Sequence, residues 1–448
     1  MAKKRIDIIG IGMGSCDLLT QQARLRIEQA QVIIGAMRMV EFGKNIAGGQ
    51  IEFIVEIAPE KIIEEIKENK KENIVVLMSG DTGFYSGTTA LKKRIEEIIK
   101  RENQKAQNEI EQNQKGQNQK EQSEIEQWDV HIIPGISSLS YFCSRLGMSY
   151  ENVKVLSVHG RQGNIVSYVR RNENTFILTQ GNVGEICSRL LEYHFEDVQI
   201  AVGENLSYAS ERILRGKPQD FVDKSFSSTT VMLISNSAWN GRAETGIMDE
   251  RFVRGNVPMT KSTIRSLILS KLSLGEEDII YDIGAGTGSV SIEMSLLAWR
   301  GQVYAVECNP EGIELIKKNQ IKFQCDNIYR VEGMAPEVLE DLPAPDAVFI
   351  GGSKGNIVSI LKSIQSKLEK DEIDRKKRRD GIDVKSCRLV MTAITLETLS
   401  DSLAVLEQFG LKQVEISQVS AAHMKLVGNY HMLQGENPVF MISGRMEI

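Results

Sequence analysis

Two glycine-bearing loops in this chain occupy positions where an α/β protein could hold a nucleotide-like ligand. Near the amino terminus, Gly10-Ile11-Gly12-Met13-Gly14 follows an apolar run and leads through Asp17-Leu18-Leu19-Thr20 to a helix start. Far downstream, Gly284-Ala285-Gly286-Thr287-Gly288 follows the predicted strand Asp278–Ile283 and enters a helix near Ser289. Glycine at a strand-to-helix turn lets the backbone approach a ligand where a side chain would collide. A glycine triplet alone can equally be a tight turn serving packing, and the first loop has only that. The second has more. The next predicted strand, Gln302–Val306, ends in Glu307, about twenty positions on, where a carboxylate can accept from both ribose hydroxyls. That layout suits S-adenosylmethionine (SAM) or NAD. NAD needs a helix N-terminus facing its pyrophosphate, whereas SAM brings a cationic sulfonium and an amino acid tail. The form Asp282-Ile283-Gly284-Ala285-Gly286-Thr287-Gly288, with an acid just before the loop, favours SAM.

Four further segments in the first half end predicted strands: Ser79-Gly80-Asp81-Thr82-Gly83-Phe84-Tyr85, Pro134-Gly135-Ile136-Ser137-Ser138, His159-Gly160-Arg161 and Gly203-Glu204-Asn205-Leu206. Open α/β sheets bind ligands at the carboxyl ends of their strands. Asp81 reads either as a ligand contact or as a turn-forming Asx residue. His159 reads as a group acting on substrate or as a strand cap. Arg161 suits a carboxylate, which a guanidinium holds with two parallel hydrogen bonds.

These loops need a scaffold, and short β-rich runs alternating with helical patterns predict α/β architecture with largely parallel sheets in both halves. In the first half the strands are expected at Arg5–Ile9, Ile74–Met78, Val130–Ile133, Val153–Val158, Phe176–Thr179, Val198–Val202 and Val231–Ile234. In the second they are expected at Asp278–Ile283, Gln302–Val306, Ile328–Val331, Asp346–Ile350, Arg388–Thr392, Gln413–Gln418 and Pro438–Ile442. A chain of 448 residues fits two domains. Residues 1–240 and 256–448 are assigned to them, with 241–255 as linker and a fresh helix near Thr260. Residues 101–127 are nearly all Gln, Asn, Lys and Glu, too poor in apolar surface to offset ordering entropy. They read as a surface insertion or as a charged helical extension. Residues 369–385, with Arg375-Lys376-Lys377-Arg378-Arg379, read as a solvated loop or an interaction patch.

Composition narrows the function classes. A net charge of -6 and a pI near 5.7 disfavour a nucleic-acid partner, which calls for a basic surface. Six scattered cysteines without C-x-x-C, and five histidines without H-E-x-x-H, indicate neither a disulfide framework nor a metal site. No apolar run reaches the roughly 18 to 20 residues that cross a bilayer, and the basic start is not followed by a secretory apolar region. A cytoplasmic protein without a membrane partner is expected.

The second half resembles the decarboxylating precorrin methyltransferases of cobalamin synthesis. The shared motifs are Pro258-Met259-Thr260-Lys261, Asp282 through Ser289 with Ile292-Glu293, Val303 through Glu307, Gly333-Met334-Ala335-Pro336-Glu337, Phe349-Ile350-Gly351-Gly352-Ser353, Thr395-Leu396-Glu397-Thr398 and Asn437-Pro438-Val439-Phe440. The resemblance implies a Rossmann-like class I methyltransferase in which Thr260, Gly284, Ala285, Gly286, Thr287 and Gly288 touch SAM. It further implies that Glu307 holds the ribose and that Ala335 lines the adenine pocket. Ala335-Pro336 could instead be a plain helix start. Gly351-Gly352-Ser353 would bring substrate against the methyl group.

The first half resembles the tetrapyrrole methylase superfamily, within it the enzymes that methylate C5 of the corrin ring. That likeness implies a pair of α/β subdomains with SAM in the cleft between them. Gly10, Gly12, Gly14, Asp81, Thr82, Phe84, Ser137 and Ser138 are its expected contacts. Met13 and Thr82 stand where family members carry proline.

Together the two resemblances imply methylation of a precorrin or cobalt-precorrin at C5 by the first half, and at C15 with loss of the C12 acetate carboxyl by the second. They imply two SAM sites per chain and a homo-oligomer. Methyl transfer from a sulfonium to an electron-rich ring needs alignment and exclusion of water more than acid-base groups. Lys261, Arg265 and Lys354 are candidate clamps for substrate carboxylates, or ordinary surface cations. Two other classes share these features: a nicotinamide-dependent reductase and a non-catalytic SAM-binding regulator.

Overall fold

The computed structural model describes residues 3–113, 127–158, 164–378 and 386–447. Its first sheet holds β1 (Lys3–Gly10), β2 (Val32–Gly35), β3 (Glu52–Val55), β4 (Asn73–Met78) and β5 (Gln127–Ile133) in the order β3-β2-β4-β1-β5. All four pairings are parallel. The connecting helices are α1 (Gln21–Glu28), α2 (Met37–Lys44), α3 (Pro59–Glu68) and α4 (Thr88–Asn113). Strands such as Asn73–Met78 are buried nearly throughout, as a sheet covered on both faces requires. Residues 101–113 continue α4, so this part of the polar segment takes the helical form; residues 114–126 lie outside the described residues.

A second sheet holds β6 (Val153–Ser157), β7 (Asn174–Leu178), β8 (Gln199–Glu204), β9 (Arg212–Gly216) and β10 (Thr230–Ser235), with α5 (Ser138–Leu146), α6 (Ile165–Arg171) and α7 (Val183–Glu192). Its order is β6-β7-β10-β8-β9. Only β6 and β7 run parallel, and the other three pairings are antiparallel. This departs from the expectation of largely parallel sheets. The link from β8 to β9 is too short for a parallel crossover, which takes a dozen or more residues.

The third sheet has seven strands in the order β13-β12-β11-β14-β15-β19-β16. They are β11 (Ile279–Ile283), β12 (Gln302–Glu307), β13 (Ile328–Glu332), β14 (Ala347–Ile350), β15 (Ser386–Ala393), β16 (Lys412–Val419) and β19 (Val439–Glu447). The first five are parallel and β19 is antiparallel to both neighbours. Successive residues face opposite sides: Ile280 packs with α8 (Ser262–Leu272), α9 (Ser289–Leu297) and α10 (Pro310–Lys322), Tyr281 with α11 (Ile357–Arg378) and α12 (Leu396–Gln408). This is the Rossmann-like arrangement expected. The charge-dense run after Glu369 continues α11 to Arg378 rather than forming a loop, and residues 379–385 lie outside the described residues. An unanticipated hairpin, β17 (Ala422–Val427) and β18 (Tyr430–Gly435), projects with every residue exposed.

The two halves meet through polar contacts. Fully buried Asp326, between α10 and β13, accepts from the backbone amides of Val166 (2.9 Å) and Ser167 (3.0 Å) at the start of α6. The amides that open a helix have no intrahelical acceptor, so a carboxylate from the other half completes α6. Burial holds the Asp326 carboxyl above the usual carboxylate range even though Arg189 and these donors oppose the shift. Asn164 adds bonds to the carbonyls of Trp299 (3.2 Å) and Gly301 (2.8 Å). No helix among the described residues is long and apolar enough to cross a membrane.

Candidate functional site

In the third sheet the ends of β11, β12 and β14 surround a cavity of about 330 Å³. Its lining includes Gly284, Gly286, Glu307, Met334, Ala335, Gly351, Gly352, Ser353 and Lys354. Gly284 (φ +78°) and Gly286 (φ +58°) adopt left-handed backbone, and a Cβ on Gly284 would meet the Gly352 amide nitrogen and carbonyl oxygen at 2.8 Å. The β11 and β14 loops therefore touch backbone to backbone, a closeness only glycine allows. Glu307 braces the turn. Its Oε2 accepts from the Gly286 amide at 2.7 Å, and its Oε1 accepts from Cys308 (2.9 Å) and Asn309 (2.8 Å). The Cys308 thiol also donates to Oε1 at 3.6 Å, so the acceptor capacity left for a hydroxyl in the cavity lies on Oε2, whose partner is the Gly286 amide.

Of the other expected contacts here, Ala285 and Thr287 are buried behind the loop, and Gly288 begins α9 while packing on Ile316. They shape the turn without lining the cavity. Thr260 lies outside the lining, and its carbonyl accepts from Arg265 at 2.5 Å. Ala335 lines the cavity, and Ala335-Pro336 also leads into a short 3-10 helix, Glu337–Leu339. Asp282 is fully buried; one oxygen accepts from Ser291 and the other has no partner. Burial pushes its carboxyl up to about 7.

A second cavity of about 280 Å³ shares Gly351, Gly352, Ser353 and Lys354 with the first and extends to Thr395, Thr398 and Asp401. Lys354, with its Nζ 3.0 Å from the Cys308 sulfur, stands between the two. Hydrogen bonding to that sulfur raises the Lys354 ammonium above its ordinary value.

Arg265 is not a substrate clamp. It is fully buried, and its Nε donates to Glu293 and its Nη1 to Asp249, both at 2.8 Å, while Nη2 donates to the Ile247 carbonyl. Glu293 also accepts from the amides of Gly246 (2.7 Å) and Ile247 (3.1 Å). The pair fastens the segment before α8 to α9. Position 265 shares a face with Ile268, Leu269 and Leu272, the i, i+3, i+4, i+7 spacing of a core stripe. Lys261 lines neither cavity and lies 3.6 Å from Asp249.

In the first half, loops from three parallel strands converge. Gly12 and Gly80 exchange backbone hydrogen bonds at 3.0 and 2.8 Å. A Cβ on Gly10 would meet Gly80 O at 2.7 Å, and one on Gly135 would meet Gly80 O at 2.4 Å and Gly10 O at 2.5 Å. Asp81 takes the Asx role, accepting from Gly83 (2.8 Å) and from Gly135 across the sheet (3.1 Å). Thr82 is buried, and Ser137 caps α5 through the Ser140 amide (3.1 Å). Phe84 and Ser138 line a cavity of about 320 Å³ between the first two sheets. The same cavity includes Met13, Arg38, Gln180, Tyr208, Thr229 and Thr230, of which Arg38, Gln180, Tyr208 and both threonines carried no motif that would mark them. Gly14 (φ +121°) makes room for Tyr208, whose Oη would lie 2.3 Å from an added Cβ. His159 and Arg161 lie outside the described residues.

Two larger hollows, about 710 and 700 Å³, run along the seam between the halves, and neither reaches a glycine loop.

Comparison with known proteins decides the family. Residues 251–445 match the precorrin methyltransferase domain, and residues 5–104 and 116–221 match the tetrapyrrole (corrin/porphyrin) methylases. A probable cobalt-precorrin-6B C(15)-methyltransferase (decarboxylating) of Sulfurisphaera tokodaii is 39% identical over 202 residues, 44% of this chain and 96% of the relative. A precorrin-6Y C(5,15)-methyltransferase [decarboxylating] from Sinorhizobium is 27% identical over 354 residues, 78% of each chain. The chain belongs to the decarboxylating precorrin C5,15-methyltransferase family. A solved precorrin-6Y C5,15-methyltransferase structure from Geobacter metallireducens is 36% identical, covering 45% of this chain and 96% of that chain, with a TM-score of 0.39. In this family of methyltransferases the reductase and regulator readings have no footing.

Proposed function

We propose that this chain transfers two methyl groups from SAM to one corrin-ring intermediate, a precorrin or cobalt-precorrin. Residues 1–240 act at C5; residues 256–448 act at C15 and release the C12 acetate carboxyl as carbon dioxide; residues 241–255 join them. The observation that carries this reading is a pair of separate cavities at the carboxyl ends of parallel strands, one lined by Gly284, Gly286, Gly351 and Gly352 in the half matched by the precorrin methyltransferase domain, the other reached by Gly80 in the half matched by the tetrapyrrole methylases.

The residues present fit SAM in the second half. Gly284, Gly286 and Gly352 line the cavity with bare backbone, and Glu307 keeps acceptor capacity at its rim. Bound there, SAM would supply an electrophilic methyl on a sulfonium that departs as a neutral thioether. Ala335 and Met334 form an apolar wall, and the Gly351-Gly352-Ser353 backbone separates the cofactor cavity from its neighbour. Lys354, reaching both, is suited to orient a substrate carboxylate; Arg265 is not. In the first half Phe84 and Ser138 line the cofactor cleft, held by the interlocked loops at Gly10, Gly80 and Gly135. The protein aligns the partners and excludes water.

Self-association is part of the proposal. The hairpin β17–β18 exposes Met424, Leu426 and Leu433 on one face and Val427, Tyr430 and Met432 on the other, exposed apolar surface of the kind that marks a protein interface.

The test is product mass after incubation with SAM and a precorrin-6B-type substrate, run metal-free and cobalt-bearing. Two added methyls with one lost carbon dioxide is the expected result in at least one arm. One added methyl with no carboxyl lost contradicts the division of labour.

A further inference from the structure

We propose that Arg38, on the first turn of α2, anchors a carboxylate in the amino-terminal cavity during C5 methylation. The inference rests on the methyltransferase reading of that half and adds a residue to it. Arg38 lines the cavity. Its Nη1 donates to the Tyr208 hydroxyl (2.9 Å) and to the Met13 carbonyl (3.5 Å), and its Nη2 donates to the Ser79 hydroxyl (3.1 Å). All three partners are neutral. They come from the β1 loop, the β4 loop and the loop after β8, so the guanidinium is held from both subdomains at the mouth of the cleft. A guanidinium has five N–H donors and stays charged at every physiological pH. Held in place and lacking a counter-charge among these partners, it presents positive charge and spare donors to whatever enters.

A second observation comes from the same cavity. Thr230 lines it and is buried, and its hydroxyl has no hydrogen-bond partner. Buried polar groups are normally paired, so this orphan points to a polar ligand. A charged fork and an unpaired hydroxyl in one cavity fit a ligand carrying a carboxylate beside other polar atoms. Two sources supply that chemistry: an acid side chain of the macrocycle and the amino acid tail of SAM.

The experiment uses the full chain. Arg38→Gln keeps donors for Ser79 and Tyr208 but carries no charge, whereas Arg38→Lys keeps the charge. Each variant is measured for the corrinoid KM of C5 methylation, for SAM affinity by calorimetry, and for C15 methylation with decarboxylation as an internal control on folding. Arg38→Gln is expected to weaken one ligand by roughly 10- to 100-fold, the span for a charge-assisted hydrogen bond, with Arg38→Lys recovering part of it. A raised corrinoid KM with unchanged SAM affinity places the carboxylate on the macrocycle; weakened SAM binding places it on the cofactor tail. If Arg38→Gln matches the wild type in both, or is rescued better than Arg38→Lys, Arg38 only latches the cleft and the proposal is overturned. A wild-type chain that makes no C5 product while performing the C15 reaction would overturn the underlying reading instead.

Discussion

The Glu307 carboxylate accepts the Gly286 amide at 2.7 Å, tying the end of one strand to the glycine loop of its neighbour. The acid therefore does two jobs: it fixes the glycine loop through Gly286 and the turn after its own strand through Cys308 and Asn309, and its Oε2 keeps acceptor capacity toward the cavity. Glu307→Gln supplies only one acceptor oxygen and turns an NH₂ group toward an N–H donor. SAM binding at the second-half site should weaken by about tenfold or more, with the first-half site unchanged. Two-site calorimetry distinguishes this from a general loss of binding.

Arg265 and Glu293 form a buried ion pair, and breaking one by truncation leaves the partner charge stranded. Arg265→Ala should cost about 3–5 kcal/mol of folding stability, read by denaturant unfolding. Corrinoid KM of the folded fraction should stay at the wild-type value. A raised KM at unchanged stability would return Arg265 to the list of substrate clamps.

Asp282 has a carboxyl that burial pushes up to about 7, against about 3.9 in an unfolded chain. Between those values the folded state holds a proton that the unfolded state has released, so stability falls as pH rises, by about 1.4 kcal/mol per unit, and levels off above pH 7. Urea unfolding of the wild type from pH 4 to 8 should show this decline on top of the remaining titrations. Asp282→Asn should lack that component, and parallel curves would show that Asp282 is not its source.

Gly135 sits where a Cβ would press on two backbone oxygens. Gly135→Ala should separate the β1, β4 and β5 loops and abolish C5 methylation while leaving the C15 reaction intact. Product mass from the same preparation checks both.

The hairpin carries a prediction about assembly. Replacing Tyr430 and Leu433 with glutamate should shift the protein to a smaller species by sedimentation, with both SAM affinities retained. An unchanged sedimentation coefficient would show that another surface drives any association.

Much of this organisation is legible in the sequence because it follows local rules. Short β-rich runs marked fourteen of the strands, and the acid that ends β12 set the Gly284–Gly288 turn apart from a plain glycine turn. The strands β2 and β3 are four residues each, too short to display a period. With β9 unseen, nothing revealed that the second sheet runs mostly antiparallel. The hairpin did leave a signal: Gly428-Asn429 between segments alternating Met424, Leu426 with polar residues is a two-residue turn pattern. Arg265 was misread because a basic residue near a cofactor loop suggests a clamp, while its register on the α8 core stripe pointed inward. Arg38 and Tyr208 lie 170 positions apart, and only the closing of two subdomains brings them together.

The central claim is two methyl-donor sites in one chain, and SAM stoichiometry measures it most directly. Calorimetric titration of the full chain should give two SAM per polypeptide, falling to one in a Glu307→Gln variant titrated below its weakened affinity. A stoichiometry of one in the wild type, or none, contradicts the account.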